Sequence, residues 1–206
     1  MKLAIIAILT GAAAAFAPSP NVVPATTSLQ ASTFDNELGV QAPLGYWDPL
    51  GMLDNASQAQ FDRLRYVEIK HGRVAMLAFL GNIITRAGLH LPGSLNIAGG
   101  VKFDEVPNGF AALQAGGIPM SGTLQIIGFC GFLEFFVMKD IDGTDNEFIG
   151  DFRNGVRISA WDDFDDATRL KKRAFELNNG RAAMFGILGL MVHEQLGGVL
   201  PIVGQM

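Results

Sequence analysis

The sequence predicts an all-α membrane protein of three helices, with the first and third crossed about a local two-fold axis. Three observations predict it. The hexad Glu68-x-x-His71-Gly72-Arg73 recurs 108 positions later as Glu176-x-x-Asn179-Gly180-Arg181, each copy running into an apolar helical stretch. The same shift places Ala75-Met76 on Ala183-Met184, Leu80-Gly81 on Leu188-Gly189 and Arg65 on Arg173, the mark of an internal duplication. Finally, mean hydropathy is +0.28 and 25 of 206 residues are glycine, which is unusual for a soluble chain of this size.

The amino-terminal stretch reads as an address rather than as fold. Lys2, the apolar residues 3–9 and the small residues 11–15 resemble a short secretory signal, too short to span a bilayer. Residues 16–32 are rich in Ala, Pro, Ser and Thr, and the first acid is Asp35. A signal followed by an acid-poor, hydroxyl-rich segment suits a two-part plastid address. An ordinary secreted protein with a disordered amino terminus is the alternative. Residues 1–31 are therefore expected to be a cleaved signal and transit peptide, and residues 32–206 the membrane domain.

The first helix is expected over residues 56–87, with Asp54, Asn55 or Ser57 as N-cap and Gly88 as a stop before Pro92. The second opens after Pro119 and covers residues 121–139. The third covers residues 165–196, starts among Asp162, Asp163, Asp165 and Asp166, which suit a helix amino terminus, and stops at Gly197-Gly198. No strand is expected. Cys130 lies alone in an apolar run, so no disulfide framework exists and a small buried hydrophobe is expected there. The net charge of −5, with no basic block, argues against a nucleic-acid partner.

The uncharged runs 74–85 and 182–192 are only about half the roughly 20 residues a bilayer requires, which keeps a soluble three-helix domain open. The first helix as a whole would nevertheless be about 45–50 Å long. It could cross with tilt if the charges in its upstream half were neutralised internally. Cations cluster before the third helix (Lys139, Arg153, Arg157, Arg169, Lys171, Lys172, Arg173), whereas the first link carries only Lys102. That bias puts the amino ends of the first and third helices on the cytoplasm-equivalent side.

Glu68 and Arg73 stand five apart, outside the three-or-four spacing at which helical side chains meet. Each needs a partner elsewhere. If the two copies cross, Glu68 reaches Arg181 and Glu176 reaches Arg73, so that no charge stays uncompensated in a low dielectric. Two rows of small residues, Gly72-Ala75-Ala78-Gly81 and Gly180-Ala183-Gly186-Gly189, would permit close approach. Three residues after each Glu comes a potential metal donor, His71 or Asn179. A tetrahedral zinc or di-iron site needs several ligands converging on one point, and no second His stands nearby. Single scattered donors suit a metal whose other positions are already filled, such as a magnesium tetrapyrrole wanting one axial ligand.

These residues carry a family likeness. The paired hexads resemble the chlorophyll-binding light-harvesting superfamily, with its crossed helices and reciprocal Glu–Arg pairs. The segments Leu38-Gly39-Val40-Gln41-Ala42-Pro43-Leu44-Gly45, Trp47-Asp48-Pro49-Leu50-Gly51 and Phe129-Cys130-Gly131-Phe132-Leu133-Glu134 are similar to the fucoxanthin–chlorophyll a/c antenna proteins of diatoms. So are residues 61–78 and 171–201. The resemblance implies axial chlorophyll ligands at Glu68, His71, Glu176 and Asn179, with Arg73 and Arg181 as locking partners. It implies further ligands at Gln125 and Glu134 in the middle helix, nine apart where green relatives use eight, and at His193. Trp47, Asp48, Pro49 and Leu50 would pack against carotenoids. The implied cofactors are chlorophyll a, chlorophyll c and fucoxanthin, with diadinoxanthin as a further candidate, and magnesium only as part of chlorophyll.

The implied function is light harvesting without catalysis, in the thylakoid membrane of the plastid as a multi-pass protein. Partners would be thylakoid lipids, other antenna subunits in a homo- or hetero-oligomer, and photosystem I or II cores. A stress-induced, energy-dissipating member is the rival within the superfamily, with Asp104 and Glu105 as candidate lumen-side acids. An ion-coupled transporter and a soluble scaffold are the rivals outside it.

Overall fold

The computed structural model describes residues 34–96, 100–113, 117–139, 146–154 and 159–197, together with the backbone of 199–200 and 204–205. The leader expected over residues 1–31 lies outside the described residues. Of a first unit formed by residues 1–36, the turn at 34–36 is described; the helices belong to a second unit, residues 37–206.

Helix α1 runs from Gln58 to Arg86, with Ser57 as its N-cap. The Ser57 hydroxyl accepts the Gln60 N–H at 3.3 Å, satisfying one of the donors a helix start leaves unpaired. At the far end Gly88, at φ +80°, turns the chain away as expected. Helix α2 spans Met120–Phe132 and widens into a π turn over Leu133–Val137. Met138 N–H closes that turn on the Leu133 carbonyl at 2.6 Å. Helix α3 spans Asp166–Leu196, with Asp165 as N-cap and Gly197 in the left-handed conformation as C-cap.

The links hold smaller elements. Turns of 3-10 helix form at Phe103–Glu105 and Gly109–Leu113, and a single helical turn forms at Ser159–Asp162. The expectation of no strand is corrected at the carboxyl end. There β1 (Val199–Leu200) pairs antiparallel with β2 (Gly204–Gln205). Two residues per strand are too few to imprint an alternating pattern on the sequence.

Packing concentrates between α1 and α3. Phe61, Gly72 and Ala75 are buried on one helix, and Leu177, Gly180, Ala183 and Leu190 on the other. The backbones touch at Gly72 and Gly180: a Cβ on either would stand 3.0 Å from the other's Cα. The small-residue rows are used only in part. Phe79 fills the space beside Gly186, whereas Gly81 and Gly189 meet no atom within 4 Å and Ala78 is exposed. Two positions of the first row and one of the second therefore present an open surface.

Helix α2 differs. None of its residues is buried. Met120–Val137 is, among the described residues, the one helical segment long and apolar enough to cross a membrane. Phe135 keeps 77% of its surface exposed, and Cys130, expected to be buried, is exposed as well. The correction has a simple cause. An apolar run signals removal from water, and among the described residues no protein neighbour buries this helix.

Candidate functional site

The two hexads meet reciprocally. Arg181 Nε donates to Glu68 Oε1 at 2.7 Å, and Arg73 Nε donates to Glu176 Oε1 at 2.6 Å. Each guanidinium has a second anchor in a loop: Arg181 Nη1 reaches the Gly39 carbonyl and Arg73 Nη1 the Gly150 carbonyl, both at 2.8 Å. Both glycines have positive φ, +98° and +84°, which turns their carbonyls toward the arginines without a Cβ penalty. Side chains in the pairs retain 25–36% exposure. In water such pairs would contribute little. In an apolar surround, removing one member leaves the other charge uncompensated.

The expected donors repeat at the same offset. His71 Nδ1 lies 2.8 Å from the Val67 carbonyl, and Asn179 Nδ2 donates to the Phe175 carbonyl at 2.8 Å. In each case the side chain is tied to the backbone one turn earlier. The imidazole Nε2 and the carboxamide oxygen remain as outward acceptors on exposed residues. A metal-binding His commonly has its second nitrogen hydrogen-bonded in this way, which fixes the tautomer and the ring direction. Neither donor lines the cleft beside α1 and α3, which Arg65, Glu68, Arg173 and Glu176 do line. A large planar ligand on His71 or Asn179 would therefore lie on the outer surface of the pair.

The repeat is not perfect. Glu68 Oε2 also accepts from Arg65 Nη1 at 2.7 Å, and Arg65 Nη2 reaches the Leu38 carbonyl at 2.6 Å. Its counterpart Arg173 instead lies over the Phe148 ring, 4.3 Å from the centroid. Both carboxylates keep lone pairs for a further donor interaction, since two oxygens offer about four acceptor positions.

Sequence reasoning missed a third crossing contact. Arg86 and Glu194 form an ion pair at 3.2 Å, with only 8% and 12% of their side chains exposed. The Glu194 carboxylate also accepts the Phe110 and Ala111 N–H groups at 3.0 and 3.3 Å, so it holds the Gly109–Leu113 turn against both helices. The signal was present: Arg86 and Glu194 are separated by the same 108 positions as the hexads. Like Gly72 and Gly180, they are equivalent positions of the repeat that meet each other.

The loop that supplies Gly150 is braced by its own charge network. Asp151, 3% exposed, accepts Arg153 Nε at 2.8 Å and Arg153 Nη2 at 2.6 Å, as well as the Glu147 and Arg153 N–H groups. Burial pulls the Asp151 carboxyl up, but those donors outweigh it and hold it below the usual carboxylate range. Glu147 is also held low, first by the Trp161 indole N–H at 2.8 Å, then by Arg169 and Arg153.

The remaining predicted residues are not brought together. Glu134 lies in the π turn and forms an ion pair with Lys70 of α1. Gln125 is exposed on α2 and His193 half-buried on α3; neither side chain has a hydrogen bond to a described residue. Trp47, Pro49 and Leu50 form an exposed apolar turn, with Trp47 at 64% and Leu50 at 81%. Asp48 Oδ2 instead accepts the Leu53 N–H at 2.8 Å and shapes the turn. Its echo Trp161 is packed, with Phe148 and Phe164 beside it and Arg153 5.4 Å from its centroid. No group of three or more His, Cys, Asp or Glu suited to a bare metal ion occurs among the described residues.

This arrangement offers single outward donors on two helices whose facing charges neutralise each other. Comparison with known proteins bears on what they hold. The sequence profile of the family described as chlorophyll A-B binding protein matches residues 34–195. The chain is 60% identical over 207 residues to a chloroplastic fucoxanthin-chlorophyll a-c binding protein of Trieres chinensis, covering all of both chains. It is 56% identical to the chloroplastic fucoxanthin-chlorophyll a-c binding protein B of Phaeodactylum tricornutum, covering 98% of this chain and 99% of that one. Protein F of Macrocystis pyrifera is 51% identical, covering 83% of this chain and 79% of its own length.

Proposed function

Because the chain belongs to the chlorophyll A-B binding protein family, we propose that it is a light-harvesting antenna subunit of the plastid thylakoid. It binds chlorophyll a, chlorophyll c and fucoxanthin, with diadinoxanthin as a further carotenoid, and passes excitation toward photosystem I or II. Its work is physical rather than catalytic. The pigments supply absorption and energy transfer; the chain supplies spacing, orientation and a polar environment for each ring.

The observation that carries this reading is the matched pair of backbone-tied donors, His71 and Asn179, beside the compensated carboxylates Glu68 and Glu176. The residues fit a magnesium macrocycle. Each presents one oxygen or nitrogen acceptor outward, and magnesium accepts both. Gln125, Glu134 and His193 are the further proposed donors. The exposed turn at Trp47, Pro49 and Leu50 is the proposed carotenoid contact, with Asp48 holding its shape.

We further propose that α1, α2 and α3 all cross the membrane, with α1 and α3 related by a pseudo-two-fold axis. Support comes from the reciprocal Arg–Glu–carbonyl contacts and from the self-meeting positions Gly72–Gly180 and Arg86–Glu194. The amino ends of α1 and α3 would lie on the stromal side. Residues 1–31 would be the cleaved plastid address and residues 32–206 the pigment-binding domain. The large exposed apolar surface of α2 would face thylakoid lipids, pigments and neighbouring antenna subunits, as homo- or hetero-oligomers.

The test is reconstitution of the full-length chain with the three pigments, followed by pigment counting per polypeptide. His71→Leu should remove one chlorophyll and leave the protein folded. Full stoichiometry in that variant would overturn the donor assignment at His71.

A further inference from the structure

Glu134 differs from the other two proposed carboxylate donors in how its charge is met. Glu68 and Glu176 face arginines of the reciprocal hexad. Glu134 has Gly131 and Cys130 three and four positions before it and Val137 and Met138 three and four after it, so its own helix offers no cation within reach. Its Oε2 meets the ammonium of Lys70, from α1. That ammonium also stands 4.9 Å from the Tyr66 ring centroid and 5.4 Å from that of Phe152, an aromatic bracket that favours a cation at this spot. Oε1 has no hydrogen bond to a described residue. The contact is also the one described ion pair that ties α2 to the rest of the molecule.

We infer that Lys70 is the counter-ion that lets Glu134 serve as a chlorophyll donor, so that α1 sets both the charge and the position of the pigment carried by α2. The inference rests on the antenna reading above. A carboxylate that donates to a neutral magnesium macrocycle keeps its full negative charge in an apolar setting, which is unfavourable unless a cation accompanies it. With Lys70 on Oε2, Oε1 is left for the metal. The π turn adds to the case, because such widenings concentrate where a helix redirects a functional side chain.

Charge rescue provides the test. The full-length chain is reconstituted with chlorophyll a, chlorophyll c and fucoxanthin, and pigments are counted per polypeptide alongside circular dichroism of the chlorophyll bands. Lys70→Met should lose one chlorophyll, and Lys70→Arg should retain it. Glu134→Gln should retain it too, since a carboxamide donates without needing a cation and the freed lysine can extend toward the membrane surface. The double variant Lys70→Met/Glu134→Gln should recover the chlorophyll that Lys70→Met loses. Full pigment in Lys70→Met, or a double variant as deficient as the single, would overturn the counter-ion role while leaving the antenna reading intact. Glu134→Leu with a full complement would do the same by removing Glu134 as a donor. A wild-type chain that takes up no chlorophyll would overturn the antenna reading itself, and this inference with it.

Discussion

Helices α1 and α3 touch backbone to backbone at Gly72 and Gly180 and share three ion pairs, whereas α2 buries no residue and has one described ion pair to the rest. The difference separates two kinds of helix. In the crossed pair, protein atoms satisfy protein charges, so the pair has the means to hold its geometry by itself. For α2, the described side chains supply no such cover. Polar helices thus form the scaffold, and the apolar helix is the dependent part. Hydropathy alone would rank them the other way.

The largest effect should come from breaking the backbone contact. Gly72→Val places a Cβ 3.0 Å from the Gly180 Cα, where no flexible side chain can give way. Overpacking of this kind commonly costs about 1–3 kcal/mol and occasionally more. We expect the upper end, read as failure to form a monodisperse pigment complex. Glu68→Gln comes next. It leaves Arg181 facing a neutral amide, and because the pair is partly exposed we expect about 2 kcal/mol, below the range for fully buried pairs. Thermal unfolding of the reconstituted complex measures it. A normal melting temperature would show that the hexads do not lock the helices.

A smaller effect is expected at the loop that supports Arg73. The Asp151 carboxyl is held below its ordinary value, so its stabilising contribution is present above the unfolded value near 4 and is lost as pH falls through the lower folded value. Asp151→Asn should lose about 1–2 kcal/mol at neutral pH and flatten that acid dependence. Trp161 emission, in a Trp47→Phe background, reports the loosening. The smallest effect should lie in α2. Ile127, 61% exposed, has few protein contacts to lose, so Ile127→Ala should change the stability of the pigment-free protein by less than about 0.5 kcal/mol. A larger loss there would mean that α2 is held by the protein after all.

The crossed core was legible because the chain states it twice. Glu68 and Arg73 cannot meet within one helix, and the second hexad supplied the reciprocal partners. The Arg86–Glu194 pair carried the same offset but no shared motif, since an arginine in one copy stands for a glutamate in the other. The carbonyls of Gly39 and Gly150 left no such trace, because a backbone acceptor has no residue type; only the glycine that turns it hints at the role. Lys70 was hidden for another reason. Its partner lies 64 residues away on a helix outside the duplication, so neither spacing nor repeat could connect them. The carboxyl-terminal strand pair was too short to write a pattern.

His71 and Asn179 hang from main-chain oxygens, which every amino acid carries. On the proposed donor assignment, swapping imidazole for carboxamide at either station would change the ligand field at the pigment while keeping the same tie to the backbone one turn earlier. On that assignment the two copies of the motif would tune their pigments differently while sharing one way of fixing the donor to its helix.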